Sequence, residues 1–350
     1  MALHIEKIAK SRISEVDFNN LQFGHEFTDH MFECDFEDGE WQNPVIKPYQ
    51  PILFDPSAKV FHYGQAVFEG MKAYKDDDDK IWLFRPEQNQ ERINISAERL
   101  DMPSFPKDLF FEGLTTLLKI DSEWIQKGEG NSLYIRPFII ATEHGISASA
   151  SNRYKFMIIC SPVQAYYAGE VRVVIADKYS RSANGGVGYA KAAGNYAGSF
   201  YPARLAREKG FQQVVWTDSC THEYLEEAGV MNVFFRINNT LLTAPTSDRI
   251  LDGITRKSII QFLESEGIDI EVRPIKVTEI VEAARKGELL EMFGAGTAAV
   301  VSPILGFSHQ GENFELPKVE NSYASFIKKS ITAIQQNKAE DKFGWRYEVK

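Results

Sequence analysis

Residues 181–201 read RSANGGVGYAKAAGNYAGSFY, and this stretch decides how the rest of the chain is interpreted. It is rich in Gly, Ala and Ser, and it carries a single lysine, Lys191, followed by Asn195 and Tyr196. Small neighbours allow a bulky group to approach the lysine amine closely. The setting therefore favours a buried amine that acts as a nucleophile or condenses with a carbonyl group. A flexible surface loop with an incidental lysine is the alternative.

Length and composition set the frame for this stretch. With 350 residues, the chain is long for a single core, so we expect two domains. Its 43% hydrophobic and 25% charged residues are typical of a soluble globular protein. The net charge of -10 argues against nucleic acid or an anionic membrane as a partner, because neither offers a cation to pair with an acidic surface.

The chain shows no sign of export or membrane insertion. Its first residues lack an apolar core of signal-peptide length, and no later run reaches the roughly 18 apolar residues that a membrane span needs. The cysteines Cys34, Cys160 and Cys220 are odd in number, far apart and in no CxxC pair. This favours a reduced, cytoplasmic protein without a metal site.

The segment from Pro162 to Gly169 separates two series of strands and helices. We therefore predict a smaller N-terminal domain over residues 1–163, a linker over 164–170, and a larger C-terminal domain over 171–350. In the first part, the run Asp76–Asp79 lies between two apolar strands, KAY and IWLF. It predicts a hairpin tip kept in water by its charge, in preference to a metal site, because adjacent residues of an exposed turn point in different directions.

Two arginines of the first part are candidate anion ligands. Arg92 lies near the start of a helical pattern that ends before Pro103, and a solvated helix arginine is the alternative. Arg136 lies in the middle of the strand pattern SLYIRPFIIA, two residues after Tyr134, so the two side chains share a face. An arginine inside an apolar strand is costly unless it meets an anion, so we expect Arg136 to line a cleft.

In the second part, Glu226 and Glu227 precede the apolar run AGVMNVFF. Neighbouring strand residues face opposite ways, so we expect one glutamate to point into the domain and the other toward water. A carboxylate held inward near Lys191 can bind a protonated ring nitrogen. Further on, a turn at Gly253 leads into a helix, and its first backbone N–H groups predict an anion site.

The sequence GAGTAA at 294–299 resembles a dinucleotide fingerprint, but a β-branched run with a proline follows it where a helix is required. GVGYAK likewise lacks the spacing of an NTP-binding loop. A glycine-rich turn that contains Thr297 can still hold an anion through N–H groups and a hydroxyl.

Together, several strings of the chain resemble the fold-type IV aminotransferases that depend on pyridoxal 5′-phosphate, and among them the branched-chain-amino-acid aminotransferases. The strings are FHYGQAVFEGMKAY, YIRPF, YAKAAGNY, EEAGVMNVFF, LDGITR and FGAGTA, and they extend from about Phe61 to Pro303. The resemblance implies an α+β or α/β fold of two domains. It also implies a smaller N-terminal α/β domain, a larger C-terminal domain with a mixed β-barrel-like core, and the cofactor at the domain interface.

The resemblance also implies roles for individual residues. Lys191 matches the lysine that binds the cofactor aldehyde covalently, Glu227 the carboxylate that faces the pyridine nitrogen, and Tyr196 the phenol at the ring hydroxyl. Arg92 matches the phosphate-binding arginine. The other implied cofactor contacts are Leu251, Gly253, Ile254, Thr255 and Thr297. The implied substrate pocket consists of Tyr63, Phe68, Tyr134, Arg136, Tyr166 and Ala298.

The activity that the resemblance implies is transamination of L-leucine, L-isoleucine and L-valine with 2-oxoglutarate, giving branched 2-oxo acids and L-glutamate in amino-acid biosynthesis. It implies a homodimer as well. A D-amino-acid transaminase or an aminodeoxychorismate lyase of the same fold would share Lys191 and Glu227 but not the YIRPF and HYGQAVFEG strings. A non-catalytic protein on the same scaffold would have lost the lysine or the glutamate, and both are present.

Overall fold

The computed structural model describes residues 2–164 and 170–350, and its chain forms two compact units. The first unit takes residues 2–164 together with Ala190–Gly194 and Ala333–Lys350. The second takes residues 170–189 and Asn195–Thr332. The short segment around Lys191 and the C-terminal residues thus belong to the unit formed by the first part of the chain.

The first unit is built on a nine-stranded sheet with the order β1-β3-β2-β8-β7-β5-β6-β18, in which β4 pairs with β7. Elements are numbered along the whole chain. The strands are β1 (His4–Ile5), β2 (His30–Glu37), β3 (Glu40–Pro48), β4 (Ala66–Phe68), β5 (Met71–Lys75), β6 (Ile81–Phe84), β7 (Ser132–Ala141), β8 (Tyr154–Val163) and β18 (Arg346–Glu348). The helices that begin and end in this unit are α1 (Lys59–Tyr63), α2 (Pro86–Arg99) and α3 (Lys107–Ile120), with 3-10 turns at Ile13–Glu15 and Ser122–Trp124.

The core of the first unit lies where α3 packs on β2 and β3 of this sheet. Apolar residues recur at helical spacing in α3, so that Phe110, Leu114 and Leu117 are fully buried. The rings of Phe105 and Phe156 stack with their centroids 3.7 Å apart. Complete burial of several aromatic side chains removes a large apolar area from water, and this stabilises the sheet that carries β4 and β7.

The second unit contains a closed ring of six strands, in the order β11-β10-β9-β16-β15-β12 and back to β11. Its strands are β9 (Val171–Ile175), β10 (Gln213–Thr217), β11 (Leu225–Ala228), β12 (Met231–Ile237), β13 (Thr240–Thr243), β14 (Ile270–Val272), β15 (Leu289–Gly296), β16 (Val300–His309) and β17 (Glu312–Glu315). The helices α5 (Ile254–Ser265) and α6 (Val277–Arg285) belong to this unit, whereas α4 (Ala193–Glu208) and α7 (Tyr323–Gln335) contain residues of both. The ring confirms the barrel-like core expected for the larger domain.

Several local predictions are confirmed, and one is partly wrong. The strands β5 and β6 pair antiparallel around the predicted hairpin tip. The tip is not wholly solvated, however, because Asp76 is buried and accepts hydrogen bonds from Trp82 Nε1 and Asn337 Nδ2, both at 2.8 Å. The glycine-rich run 294–299 ends β15 and turns into the antiparallel strand β16, which is not the strand–turn–helix of a dinucleotide site.

The domain boundaries at 163 and 171 stay predictions, and most of the predicted linker, residues 165–169, lies outside the described residues. Among the helices that the structure describes, none combines the length and the apolar character required to cross a bilayer.

Candidate active site

Lys191 lies in the first unit beside the edge strand β4. Its carbonyl accepts a hydrogen bond from Phe68 N (3.1 Å), and the next residue, Ala192, forms a bridge with Val67. The backbone N–H of Lys191 donates to Ser96 Oγ on α2 (2.8 Å), and its Nζ lies 5.0 Å from the centroid of the Phe68 ring. The lysine is half-buried, so it is less enclosed than the buried amine that the stretch predicts.

Arg92 also lies in the first unit, and it is buried against a carboxylate that the sequence analysis did not single out. Its Nε and Nη2 donate to the two oxygens of Glu69 at 2.7 Å and 2.9 Å. Burial raises the pKa of the Glu69 carboxyl, but the charge and hydrogen bonds of Arg92, together with the charge of Lys191, outweigh it and lower the pKa from its ordinary value. The alternative of a solvated helix arginine is therefore excluded for Arg92.

Tyr134 and Arg136 share a face of β7, as their spacing predicts. Arg136 Nη2 donates to Tyr134 Oη (3.0 Å), and the guanidinium carbon lies 4.7 Å from the Phe68 ring centroid. The ring of Phe23 packs edge-on against Tyr134 with the centroids 5.0 Å apart. Gly70 leaves room for the phenol, because a side chain at that position would collide with Tyr134 Oη. Three residues of the predicted substrate pocket, Phe68, Tyr134 and Arg136, thus lie together, with Phe23 beside them.

The two other predicted pocket residues from this part of the chain have different outcomes. Tyr63 ends α1, is 42% exposed, and donates its hydroxyl to the carbonyl of Ile146. Tyr166 lies outside the described residues.

Glu227 is buried in the second unit on β11. The backbone N–H of Leu251 donates to its Oε1, and Arg181 Nε lies 3.5 Å from its Oε2. Glu226 is buried as well, so the expectation that one of the pair faces water is wrong. Its carboxylate accepts a hydrogen bond from Arg249 Nε, and burial raises the pKa of the Glu226 carboxyl more than Arg249 lowers it.

Arg181 connects this carboxylate to the glycine-rich stretch. Besides Glu227, it donates to the carbonyls of Gly188 (3.1 and 3.2 Å) and Arg249 (2.8 Å). Gly188 has to be a glycine here, because a Cβ atom would lie 2.6 Å from the carbonyl oxygen of Arg249. The stretch is therefore held by its arginine and its small residues, and it is not a free surface loop.

The remaining predicted cofactor residues of the second unit are distributed over three elements. Tyr196 on α4 lines a small pocket together with Arg181, Asn195, Glu227, Val230 and Leu251. Gly253 is the N-cap of α5, and Ile254 and Thr255 follow in its first turn. Asn232 Nδ2 donates to the carbonyl of Leu251 (3.0 Å) and so holds the backbone that precedes this turn. Thr297 and Ala298 lie in the turn between β15 and β16.

A sequence profile described as amino-transferase class IV matches residues 66–306, which is more than half of the chain. The chain belongs to the class IV aminotransferases.

Individual proteins and solved structures that are similar to the chain carry names of the same family. Branched-chain-amino-acid transaminase 1 of Bacillus subtilis is 45% identical over 339 residues, which cover 95% of each chain. A branched-chain-amino-acid aminotransferase of Mycolicibacterium smegmatis is 40% identical over 347 residues, covering 96% of this chain and 94% of its own. Among solved structures, the branched-chain aminotransferase of Thermoproteus uzoniensis with norvaline superposes with a TM-score of 0.75 at 23% identity, covering 92% of this chain and 100% of its own. That similarity confirms the fold.

Class IV aminotransferases use pyridoxal 5′-phosphate, and the chemistry of the residues present fits this group. The cofactor needs an amine for its aldehyde, an acid for its ring nitrogen, and cations or N–H groups for its phosphate. The class IV chain provides the lysine amine at 191 and the guanidinium at 92. It also provides a buried carboxylate at 227 and the N-terminus of α5, a site suited to a phosphate group.

Several side chains that contact predicted site residues of this class IV aminotransferase were missed by the sequence analysis, among them the following three. Glu69 and Phe23 contact predicted site residues, and Arg181 contacts Glu227. Glu69 carries a detectable signal, since a glutamate in the apolar string AVFEGM must find a buried positive partner. Arg181 begins the stretch quoted at the outset, but its partner is 46 positions away, and Phe23 lies in an irregular segment without a pattern.

Proposed function

We propose that the chain transfers the amino group of L-leucine, L-isoleucine or L-valine to 2-oxoglutarate, giving branched 2-oxo acids and L-glutamate. The observation that carries the proposal is the 45% identity, over 95% of both chains, to a relative whose name states branched-chain-amino-acid transamination. The presence of the lysine and the buried glutamate supports catalysis rather than binding alone.

Lys191 has the central role in the proposed mechanism. When bound, pyridoxal 5′-phosphate supplies the aldehyde that takes up the amino group and the ring that delocalises the electrons left at the substrate Cα. The Nζ of Lys191 removes the Cα proton as a base and later returns a proton as an acid. The two backbone hydrogen bonds of Lys191, to Phe68 N and Ser96 Oγ, fix the base of its flexible side chain.

Glu227 and Tyr196 act on the ring of the cofactor in this proposal. The Glu227 carboxylate holds a proton at the ring nitrogen, and its contacts with Leu251 N and Arg181 keep it oriented. The phenol of Tyr196 would donate to the ring hydroxyl, and Leu251 would lie near the ring. The residues proposed to hold the phosphate are Arg92, Gly253, Ile254, Thr255 and Thr297. A charge-assisted hydrogen bond of this kind contributes about 1.5–3 kcal/mol.

For the substrate, we propose a pocket formed by Tyr63, Phe68, Tyr134, Arg136, Tyr166 and Ala298. The aromatic rings would contact an aliphatic side chain. The Arg136 guanidinium, already near Tyr134 Oη and the Phe68 ring, would bind the distal carboxylate of 2-oxoglutarate or glutamate.

Replacing Arg136 by Ala is expected to impair the half-reaction with 2-oxoglutarate more than the half-reaction with L-leucine. The kcat/KM for 2-oxoglutarate should fall about 10- to 100-fold more than that for L-leucine, since only the former loses a charge-assisted bond. Steady-state kinetics with each substrate varied in turn measures the difference. Arg153→Ala, which removes an exposed arginine paired with Glu37, serves as the control. Equal losses for both substrates would contradict the assignment.

The activity itself is tested by the stereochemistry and size of the amino donor. With 2-oxoglutarate as acceptor, the purified protein should produce glutamate from L-leucine, L-isoleucine and L-valine. Adding L-leucine alone should change the absorbance spectrum of the bound cofactor. D-alanine should give neither response. Turnover of D-alanine in preference to L-leucine would instead support the D-amino-acid transaminase of the same fold and end the proposal.

We also propose that the enzyme is a cytoplasmic homodimer in branched-chain amino-acid biosynthesis. Exposed apolar side chains of the first unit support the dimer. Leu53 is fully exposed, and Phe61 and Ile146 are 62% and 70% exposed, with the carbonyl of Ile146 bonded to the hydroxyl of Tyr63. A second copy would cover such side chains. A monomeric mass in sedimentation velocity would disprove this part.

A further inference from the structure

Glu69 is the most completely enclosed carboxylate near the candidate lysine. It lies between β4 and β5, has no exposed surface, and receives four hydrogen bonds. Arg92 Nε and Nη2 donate at 2.7 and 2.9 Å, Asn89 Nδ2 at 2.7 Å, and the backbone N–H of Gly70 at 3.1 Å. Each carboxylate oxygen therefore has a donor, which is the condition for keeping a buried charge.

A buried ion pair contributes little net stability compared with apolar residues of the same volume, so stability alone does not explain the Glu69–Arg92 pair. Its geometry suggests another purpose. The two bonds from Nε and Nη2 are parallel and bidentate, and they fix the plane of the guanidinium of Arg92. They thereby also fix the direction of the third nitrogen, Nη1.

The same helix connects this pair to the candidate lysine. Asn89, Arg92 and Ser96 are three and four residues apart on α2, so they lie on one face. Ser96 Oγ donates to the carbonyl of Arg92 (2.9 Å) and accepts the backbone N–H of Lys191 (2.8 Å). The residue before Glu69, Phe68, donates its N–H to the carbonyl of Lys191 (3.1 Å). Glu69 and α2 therefore set the spacing between the Lys191 backbone and the Arg92 guanidinium.

We propose that Glu69 is a positioning residue that acts through Arg92, holding the guanidinium in the orientation in which it binds the cofactor phosphate. The inference rests on the proposed function, in which Arg92 binds that phosphate and Lys191 the aldehyde. Glu69 itself has no exposed surface and is bonded to Arg92, so it would act through the guanidinium and not by contact with the cofactor. Its effect should consequently depend on the presence of both Arg92 and the phosphate group.

The experiment compares two aldehydes, pyridoxal 5′-phosphate and pyridoxal, which differ in the phosphate alone. Each is titrated into the full-length apoenzyme, and Kd is taken from the difference absorbance. In Glu69→Gln, which keeps the shape of the side chain, the Kd for pyridoxal 5′-phosphate should rise about tenfold or more, whereas the Kd for pyridoxal should change less than about twofold. An unchanged Kd for pyridoxal 5′-phosphate, or an equal loss for both aldehydes, would overturn the proposal.

A double-mutant cycle with Arg92→Met tests whether the effect passes through Arg92. In that background, Glu69→Gln should change the Kd for pyridoxal 5′-phosphate less than about twofold, and a further tenfold loss would overturn the proposal. If Glu69→Gln alone does not fold, the comparison of Arg92→Met with the double variant can still overturn the proposal, because the double variant removes both charges.

Glu33→Gln is the matched control in the same unit. Glu33 is also buried and paired, with Lys47 at 2.5 Å and Lys155 at 3.6 Å, but it lies on β2, and its ion pairs involve none of the described candidate residues. Its Kd values for both aldehydes should equal those of the unmodified protein, and a loss like that of Glu69→Gln would overturn the proposal. If the unmodified apoenzyme bound neither aldehyde, the proposed function would fail first and the inference with it.

Discussion

Lys191→Ala is expected to reduce transamination by about 10³-fold or more, to the limit of detection. The change removes the only group assigned both to the cofactor aldehyde and to proton transfer at the substrate Cα, and proton transfer alone contributes about 10²- to 10⁴-fold. The purified variant should also lose the yellow colour that the covalent link to the lysine gives. Turnover and the absorbance spectrum of the same preparation measure the two effects.

A buried lysine of the same unit, Lys59, provides the control for this experiment. Lys59 is 1% exposed, and its Nζ donates to Ser149 Oγ (2.9 Å) and the carbonyl of Ala150 (3.0 Å). Lys59→Met should lower thermal stability, because those acceptors lose their donor, while the spectrum of the folded protein stays the same. If Lys191→Ala still transaminated at a comparable rate, the assignment of Lys191 would be refuted.

Glu227→Gln is expected to lower kcat by about 10²-fold while the cofactor remains bound. The amide keeps an oxygen that accepts the N–H of Leu251, so the strand geometry is preserved. It loses the negative charge that holds the proton at the ring nitrogen, and removing one such electrostatic interaction from an active site costs about 10²- to 10³-fold. Arg181, 3.5 Å away, is left without its carboxylate. Single-turnover kinetics and the ratio of bound cofactor to protein distinguish a loss of rate from a loss of cofactor.

Glu226→Gln is the closest possible control for this variant. Glu226 is the preceding residue of the same strand, is equally buried, and pairs with Arg249 instead of Arg181. Because Glu226 pairs with Arg249 and is not assigned to the cofactor ring, replacing it by an amide should keep kcat within about threefold. Equal losses in the two variants would mean that the decisive property is the packing of β11 and not the charge at 227.

The sequence could predict features whose cause is local. The period of two along YIRPF places Tyr134 and Arg136 on one face, and the helical spacing in α3 predicts its buried face. The strings also suffice to predict the family, which the profile match confirms, while the roles assigned to residues 92, 191, 196 and 227 stay predictions. These patterns depend on neighbours within a few positions, so they can be read without knowing the rest of the fold.

The tertiary structure alone decided which distant residues meet. Glu69 meets Arg92 23 positions later, and Arg249 neutralises Glu226, which alternation along a strand would have directed to water. Asp76 is buried because Asn337, from the end of the chain, reaches it. Lys191 belongs to the unit formed mainly by residues 2–164, because hydrogen bonds with Phe68 and Ser96 hold its backbone there. Burial and charge pairing are set by contacts between remote segments, and no local period encodes them.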